Sequence, residues 1–378
     1  MKIQCQVIDQ TGADELEVDE NFRLWPCCYV NSESSRRIGF GETQPGDNFV
    51  DNFIDKFPKD WNSLKHHSWK EIIEHPIFAV HFNEEHWNDP EQCSHICERE
   101  CSTGKNFIEM EMFHSDHQYG NKLVGKKAGL YARENEPPEK EKLGSWKDIP
   151  TIDFGITSHC NAGCSGCART NNDTRKAYEW LELKHVDADN LIKYISEAYN
   201  FFPSLTNIKL CGDRGDPMMH PRIEFLIDTL CKDNQHAKRN LNLKINTNGS
   251  LRNPDFYEKI ADYKNMTLTW SIDGFEETNH VYRYGCDFDK IWDNFTTFCK
   301  TGGGSNANWD FLVFKHNWHE IPRVKEEATK LNVNSLDFKI VRQGVHWGLN
   351  RIAIVESIDD DDVEKVKKLI DEDTLSNT

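Results

Sequence analysis

The chain of 378 residues contains no apolar run approaching the roughly 20 residues that a membrane helix needs, so a spanning segment is not expected. Basic residues are in deficit: 45 Lys and Arg stand against 63 Asp and Glu, giving a formal net charge of −18. That balance disfavours bulk binding of nucleic acid, which rests on many cationic contacts to phosphate. The first residues, MKIQCQVIDQ, lack a basic flank followed by an apolar stretch, so no secretory signal is read and a cytoplasmic location is the expectation. Internal repeats and low-complexity tracts are also missing, which removes solenoids and linkers of biased composition.

Cysteine, by contrast, is abundant. Thirteen cysteines in an expected reducing compartment call for a use other than disulfides. Cys160, Cys164 and Cys167 fall within "HCNAGCSGC", and Cys27, Cys28, Cys93, Cys97 and Cys101 lie earlier. Cys5, Cys211, Cys231, Cys286 and Cys299 are scattered and read as small buried hydrophobes.

The charged, proline-bearing stretch 132–147 reads as a linker. It separates an irregular, cysteine-rich segment, 1–131, from a regular core, 148–345, and an acidic extension with a helix, 346–378. In the core, strand patterns at 151–157, 207–211, 241–247, 266–272, 309–314 and 335–341 alternate with helical ones at 187–202, 222–232, 288–300 and 320–331. Strands separated by helices imply an α/β fold with a parallel sheet. Ligands in such folds gather at the carboxyl ends of strands. The cysteine loop, "GDRGDP" (212–217), "NTNGS" (246–250) and "SIDG" (271–274) all fall there. The acidic run near Glu356 to Asp373 reads as a solvated helix.

Three thiols on one loop can hold zinc, an iron-sulfur cluster, or nothing. Structural zinc prefers paired knuckles, and no second pair lies close in this half of the chain. A C-x3-C-x2-C spacing lets one loop wrap a cubane, with Gly163 and Gly166 permitting close approach; three ligands on four irons leave one iron open. The triplet resembles the cluster motif of the radical S-adenosylmethionine (SAM) superfamily, and the similarity covers most of residues 150–341. The resemblance implies a partial (β/α)6 TIM-like barrel, a [4Fe–4S] cluster on Cys160, Cys164 and Cys167, and SAM on the open iron. It implies reductive cleavage of SAM to a 5′-deoxyadenosyl radical that takes hydrogen from a substrate. It also implies an electron donor such as a flavodoxin or ferredoxin.

Further positions match. Gly215-Asp216-Pro217 resembles the family's Gly-Glu-Pro element, with aspartate in place of glutamate; Asn248 and Ser271 resemble ribose contacts; Arg283 resembles the arginine that pairs with the methionine carboxylate. Each also has an ordinary use: Asp216 as a cap before Pro217, Asn248 in a turn with Gly249, Ser271 at a strand end and Arg283 in a surface ion pair. The early cysteines resemble the SPASM or twitch auxiliary-cluster domain, here ahead of the core instead of behind it. Cys93, Cys97 and Cys101 with Cys27 or Cys28 would supply four thiolates to a second iron-sulfur cluster, or to zinc, with His66, His67, His86 and His95 nearby. Expected substrates are a peptide, a protein or a small molecule. RNA modification, a catalytically silent scaffold holding iron-sulfur or zinc, and a simple electron carrier are the alternatives.

Overall fold

The computed structural model describes residues 15–27, 30–31, 58, 60–81, 111–116, 126–127, 145–167, 169–171, 173–211, 214–232, 241–340, 355–356 and 358–371. Its strands are β1 (Glu15–Val18), β2 (Leu24–Trp25), β3 (Glu111–Asp116), β4 (Lys126–Lys127), β5 (Thr151–Phe154), β6 (Thr170–Asn171), β7 (Lys176–Ala177), β8 (Asn207–Leu210), β9 (Asn242–Thr247), β10 (Met266–Ser271), β11 (Ala307–Val313) and β12 (Ser335–Ile340). The helices used below are α1 (Trp69–Ile73), α2 (Ala188–Phe201), α3 (Ile223–Lys232), α4 (Pro254–Ile260), α5 (Asn279–Tyr282), α6 (Phe288–Phe298), α7 (Ile321–Lys330) and α8 (Asp360–Asp371).

All six strand patterns of the core form strands, and β5, β8, β9, β10, β11 and β12 pair in that order, each parallel to the next. The protein is therefore mixed α/β with a mostly parallel sheet. Residues ahead of the linker join the same sheet at both edges: β1 pairs parallel with β5 and carries β2, while β3 pairs antiparallel with β12 and carries β4. The two short strands β6 and β7 form a separate hairpin just past the cysteine loop.

The four expected helices appear as α2, α3, α6 and α7. Asp187 caps α2 by accepting from the Asn190 N–H at 2.8 Å, which explains a start one residue inside the pattern. The strand pattern sends Ile152, Ile208, Leu243, Ile245, Leu268 and Trp270 to one face, where all are fully buried. Helical aromatics cover that face, Trp270 meeting Tyr257, Phe295 and Phe298 at ring separations of 4.8, 5.1 and 5.8 Å. The early segments are stitched on by side chains. Trp69 donates to the Tyr194 carbonyl, Trp146 to the Phe78 carbonyl, and buried Arg214 pairs with Glu20 while donating to Asn31.

The opposite face is polar. In register across it run Glu17, Asp153, Lys209, Lys244 and Thr267, from β1 through β5, β8 and β9 to β10. No helix among the described residues is long and apolar enough to cross a membrane.

Candidate metal centre

The cysteine loop leaves the end of β5 and is held from three sides. Thr157 fixes its start, its hydroxyl accepting from the His159 N–H at 3.0 Å. Arg169, just past Cys167, reaches back to donate to the Ala162 carbonyl at 3.2 Å. From across the sheet, the Tyr284 carbonyl accepts from the Gly163 N–H at 2.8 Å. A Cβ at Gly163 would run into the Arg175 carbonyl, so the loop can lie this close to the β6–β7 hairpin only with glycine there.

Cys160 and Cys167 are partly buried and Cys164 is buried. Burial pushes the Cys164 thiol up to about 12, against the pull of the nearby Arg283 charge. Burial likewise raises Cys160, where Asp216 adds to the effect. Thiols held in this way release their protons when a cation takes their place.

Later strand ends close around the loop. The Asp216 N–H donates to the His159 carbonyl at 2.9 Å, and a Cβ on Gly215 would collide with the Thr157 carbonyl. Only glycine allows the segment after β8 to lie flat against the cysteine loop. The Asp216 carboxylate is buried and filled by its own chain: Thr247 donates to both oxygens at 3.0 Å, the Asn248 N–H at 2.8 Å and the Met218 N–H at 2.9 Å. Asp216 is thus the cap of the turn Pro217–Met219. Burial still holds its carboxyl above the usual range, with the Asn248 and Met218 N–H groups working the other way.

Asn248 points at the loop. Its amide donates to Asn161 at 2.9 Å and lies 3.7 Å from the Cys160 sulfur, while its oxygen accepts from the Ser250 hydroxyl at 2.7 Å. The Ser250 hydroxyl in turn accepts from Asn161 at 2.7 Å, closing a ring of three side chains. Ser271 ends β10 partly buried, with no hydrogen bond to its hydroxyl among the described residues.

Arg283, at the end of α5, is no surface residue: its side chain is 16% exposed. Its Nε donates to Asp273 at 2.5 Å, and Nη1 lies 3.9 Å from the Cys164 sulfur. Asp273 is fully buried and held at every polar atom. Its second carboxylate oxygen accepts from the Leu312 N–H at 2.7 Å, its N–H donates to Asn279 and its carbonyl accepts from Asn317.

The structure therefore brings together Cys160, Cys164, Cys167, Gly215, Asp216, Asn248 and Arg283, with Ser271 two residues before Asp273. Asn161, Arg169, Ser250 and Asp273 were missed by the sequence reading. For Asp273 a signal existed in "SIDG", whose acid sits between the residues singled out. Of the early cysteines, Cys27 is partly buried and packs against the core, whereas Cys28, Cys93, Cys97 and Cys101 lie outside the described residues. Cys231, Cys286 and Cys299 are buried as expected, Cys211 is partly so, and Cys5 lies outside the described residues.

Three thiols on one loop, near enough to feel one another's charge, with an amide and a guanidinium beside two of the sulfurs, are the donor types of an iron-sulfur cluster with one iron left to a further ligand, although no three ligating side chains among the described residues are gathered closely enough to hold a single metal ion.

Residues 155–328 match the Radical SAM superfamily. No curated protein matches the sequence. Among solved structures, the chain is similar to Streptococcus suis SuiB bound to the precursor peptide SuiA, at 15% identity and a TM-score of 0.39, covering 49% of this chain and 37% of that one. It is similar to native anSMEcpe with bound AdoMet and Cp18Cys peptide, at 17% identity and a TM-score of 0.35, covering 48% and 46%. TYW1 with a lysine-pyruvate adduct bound gives 15% identity and a TM-score of 0.36, covering 59% of this chain and 73% of that one. The chain thus spans less than half the length of the first two.

Proposed function

We propose that this chain, an enzyme of the radical SAM superfamily through its residues 155–328, holds a [4Fe–4S] cluster on Cys160, Cys164 and Cys167 and binds SAM at the open iron. The observation that carries this reading is the placement of Arg283, locked by Asp273 with Nη1 3.9 Å from the Cys164 sulfur. When bound, cluster and cosubstrate supply reductive cleavage of the sulfonium to methionine and a 5′-deoxyadenosyl radical that removes hydrogen from a substrate.

The chain's own residues orient and shield. Arg283 spends Nε on Asp273 and keeps donors for the methionine carboxylate, a geometry suited to a planar fork. Because the Asp216 carboxylate is filled by Thr247, Asn248 and Met218, the Gly215-Asp216-Pro217 segment serves the methionine end through its main chain. The Asn248 amide braces the cysteine loop through Asn161, and the Ser271 hydroxyl, without a hydrogen bond among the described residues, lies on the sheet's polar side for the ribose. The sheet is read as a partial (β/α)6 barrel.

A peptide or protein is the proposed substrate class; RNA sits badly with a net charge of −18. Cys93, Cys97 and Cys101 with Cys27 or Cys28 are the proposed ligands of a second cluster in 1–131, and a flavodoxin or ferredoxin the proposed donor.

Anaerobic reconstitution with iron, sulfide, SAM and dithionite tests the reading. The chain is expected to form 5′-deoxyadenosine. Changing Cys160, Cys164 and Cys167 to alanine together removes about four irons and all of that product, leaving any second cluster in place. A fully loaded wild-type chain that never forms 5′-deoxyadenosine would sink the proposal.

A further inference from the structure

The polar face of the sheet holds two lysines side by side in register, Lys209 on β8 and Lys244 on β9. Lys209 is matched. Its amine lies 3.1 Å from Glu15 and 3.1 Å from Asp153, and the second Glu15 oxygen is at 3.3 Å. Those acids are thereby engaged: Asp153 also accepts from the Cys211 N–H, and Glu17, next in the row, accepts from Asn31.

The Lys244 amine has no hydrogen bond or ion pair among the described residues, although the side chain is partly buried. Burial pulls its amine below the usual range; the field of Glu15 acts upward and that of Lys209 downward. An ammonium taken partly out of water beside a like charge is costly unless a counter-charge arrives. On the side away from Lys209 its neighbours on that face are neutral: Thr267 lies opposite it on β10, and Asn246 and Thr269 form the next row.

We propose that Lys244 is the anchor for a carboxylate of the substrate, bound on the polar face of the sheet beneath the cysteine loop. With Lys209 already matched by Glu15 and Asp153, one uncompensated ammonium flanked by hydroxyls and an amide remains, which matches the single charge of a carboxylate; a phosphate collects more cations and main-chain N–H groups. Four residues of strand separate Lys244 from Asn248, which touches the loop, or about 13 Å. The substrate is then a carboxylic acid, such as an acidic side chain or a chain terminus, whose acid group sits at about that depth below the cysteine loop. This assignment to substrate rests on the function proposed above; the anion site itself does not.

The test uses the full chain without added SAM, its lysines dimethylated with 13C-formaldehyde and followed by NMR. Lys244→Arg deletes one signal and so assigns it, and Lys244→Gln repeats the assignment should the arginine variant misfold. Sodium acetate titrated at ionic strength matched with chloride is expected to shift the Lys244 signal saturably and leave the exposed lysines unmoved. Inorganic phosphate is expected to half-saturate at about fivefold higher concentration, a difference of about 1 kcal/mol. No saturable shift with acetate, or tighter binding of phosphate, overturns the proposal. Either result is independent of whether the loaded enzyme forms 5′-deoxyadenosine.

Discussion

Asp216 and Asp273 each follow a parallel strand of the sheet, six residues past β8 and two past β10, and each is buried, 4% and 0% exposed. Their partners differ in kind. Asp216 accepts only from neutral donors, Thr247, Asn248 and Met218, and knots two turns together. Asp273 accepts from one neutral N–H, that of Leu312, and from a guanidinium that continues to the Cys164 sulfur. The first carboxylate ends its network within the fold, whereas the second hands its charge on to the site. Burial of a residue type at a strand end therefore says little about its role; the charge state of its partner decides.

The largest effect expected from this difference follows removal of Asp273. Asp273→Ala leaves Arg283 charged and unmatched, and truncating one partner of a buried pair costs about 3–5 kcal/mol. Urea unfolding measures it. A double-mutant cycle with Arg283→Met is expected to return about 2 kcal/mol of coupling, and a cycle of Asp216→Ala with Thr247→Val about 1 kcal/mol or less. Equal couplings would erase the distinction between the two acids.

Next in size is Gly215→Ala. A Cβ there meets the Thr157 carbonyl, a main-chain atom that cannot swing aside, so β8's exit and the cysteine loop must separate. The cost is about 1–3 kcal/mol. Because Gly215 faces the loop, the variant is also expected to retain less iron after desalting. Full iron retention would show that the loop does not depend on that contact.

The contrast also marks what the sequence made legible. Six core strands and four helices were readable because each carries its period in its own residues, and glycine-rich turns flagged their carboxyl ends. Strand β1 was not: Glu15–Val18 has four residues with two apolar ones, and its partner β5 begins at Thr151. Helix α4 escaped because seven residues opened by Pro254 give less than two turns of pattern. The cysteines and Arg283 were visible as residue types at a recognisable spacing. Asp273 was not, since its meaning comes from Arg283 ten residues on and Leu312 on another strand. Asp216 was equally ambiguous as cap or ligand until its three donors, Thr247, Asn248 and Met218, were seen.

A smaller effect separates the acids by charge alone. Asp216→Asn keeps the shape, but the new NH2 group faces the N–H donors of Asn248 or Met218 and leaves one of them unsatisfied in a buried site. The expected loss is about 1–3 kcal/mol. It is expected to be insensitive to salt, whereas Asp273→Asn, which strips a charge from a pair, gives a loss that changes with ionic strength. Unfolding midpoints at low and high sodium chloride distinguish the two, and matching salt responses would count against the contrast.

The smallest effect reaches Asp273 from behind. Asn317, which donates to the Asp273 carbonyl at 2.7 Å, follows His316, whose ring stacks on Phe314 with centroids 5.4 Å apart. Burial holds His316 at about 4, with Thr278 acting upward and His280 and His319 downward. The folded state therefore binds its proton less readily than the unfolded chain. Stability from this group is complete above about pH 6.5 and is lost progressively as pH falls towards about 4. Because the ring is partly exposed, the loss is about 1 kcal/mol, well under the full linkage value. Subtracting the urea midpoints of His316→Gln from those of the wild type at each pH cancels the carboxylates that titrate in the same range. The difference is expected to be flat above about pH 7 and to turn against the wild type below about pH 6. Parallel curves from pH 4 to 7 would show that the ring carries no such penalty and that acid leaves the Asn317 brace of Asp273 untouched.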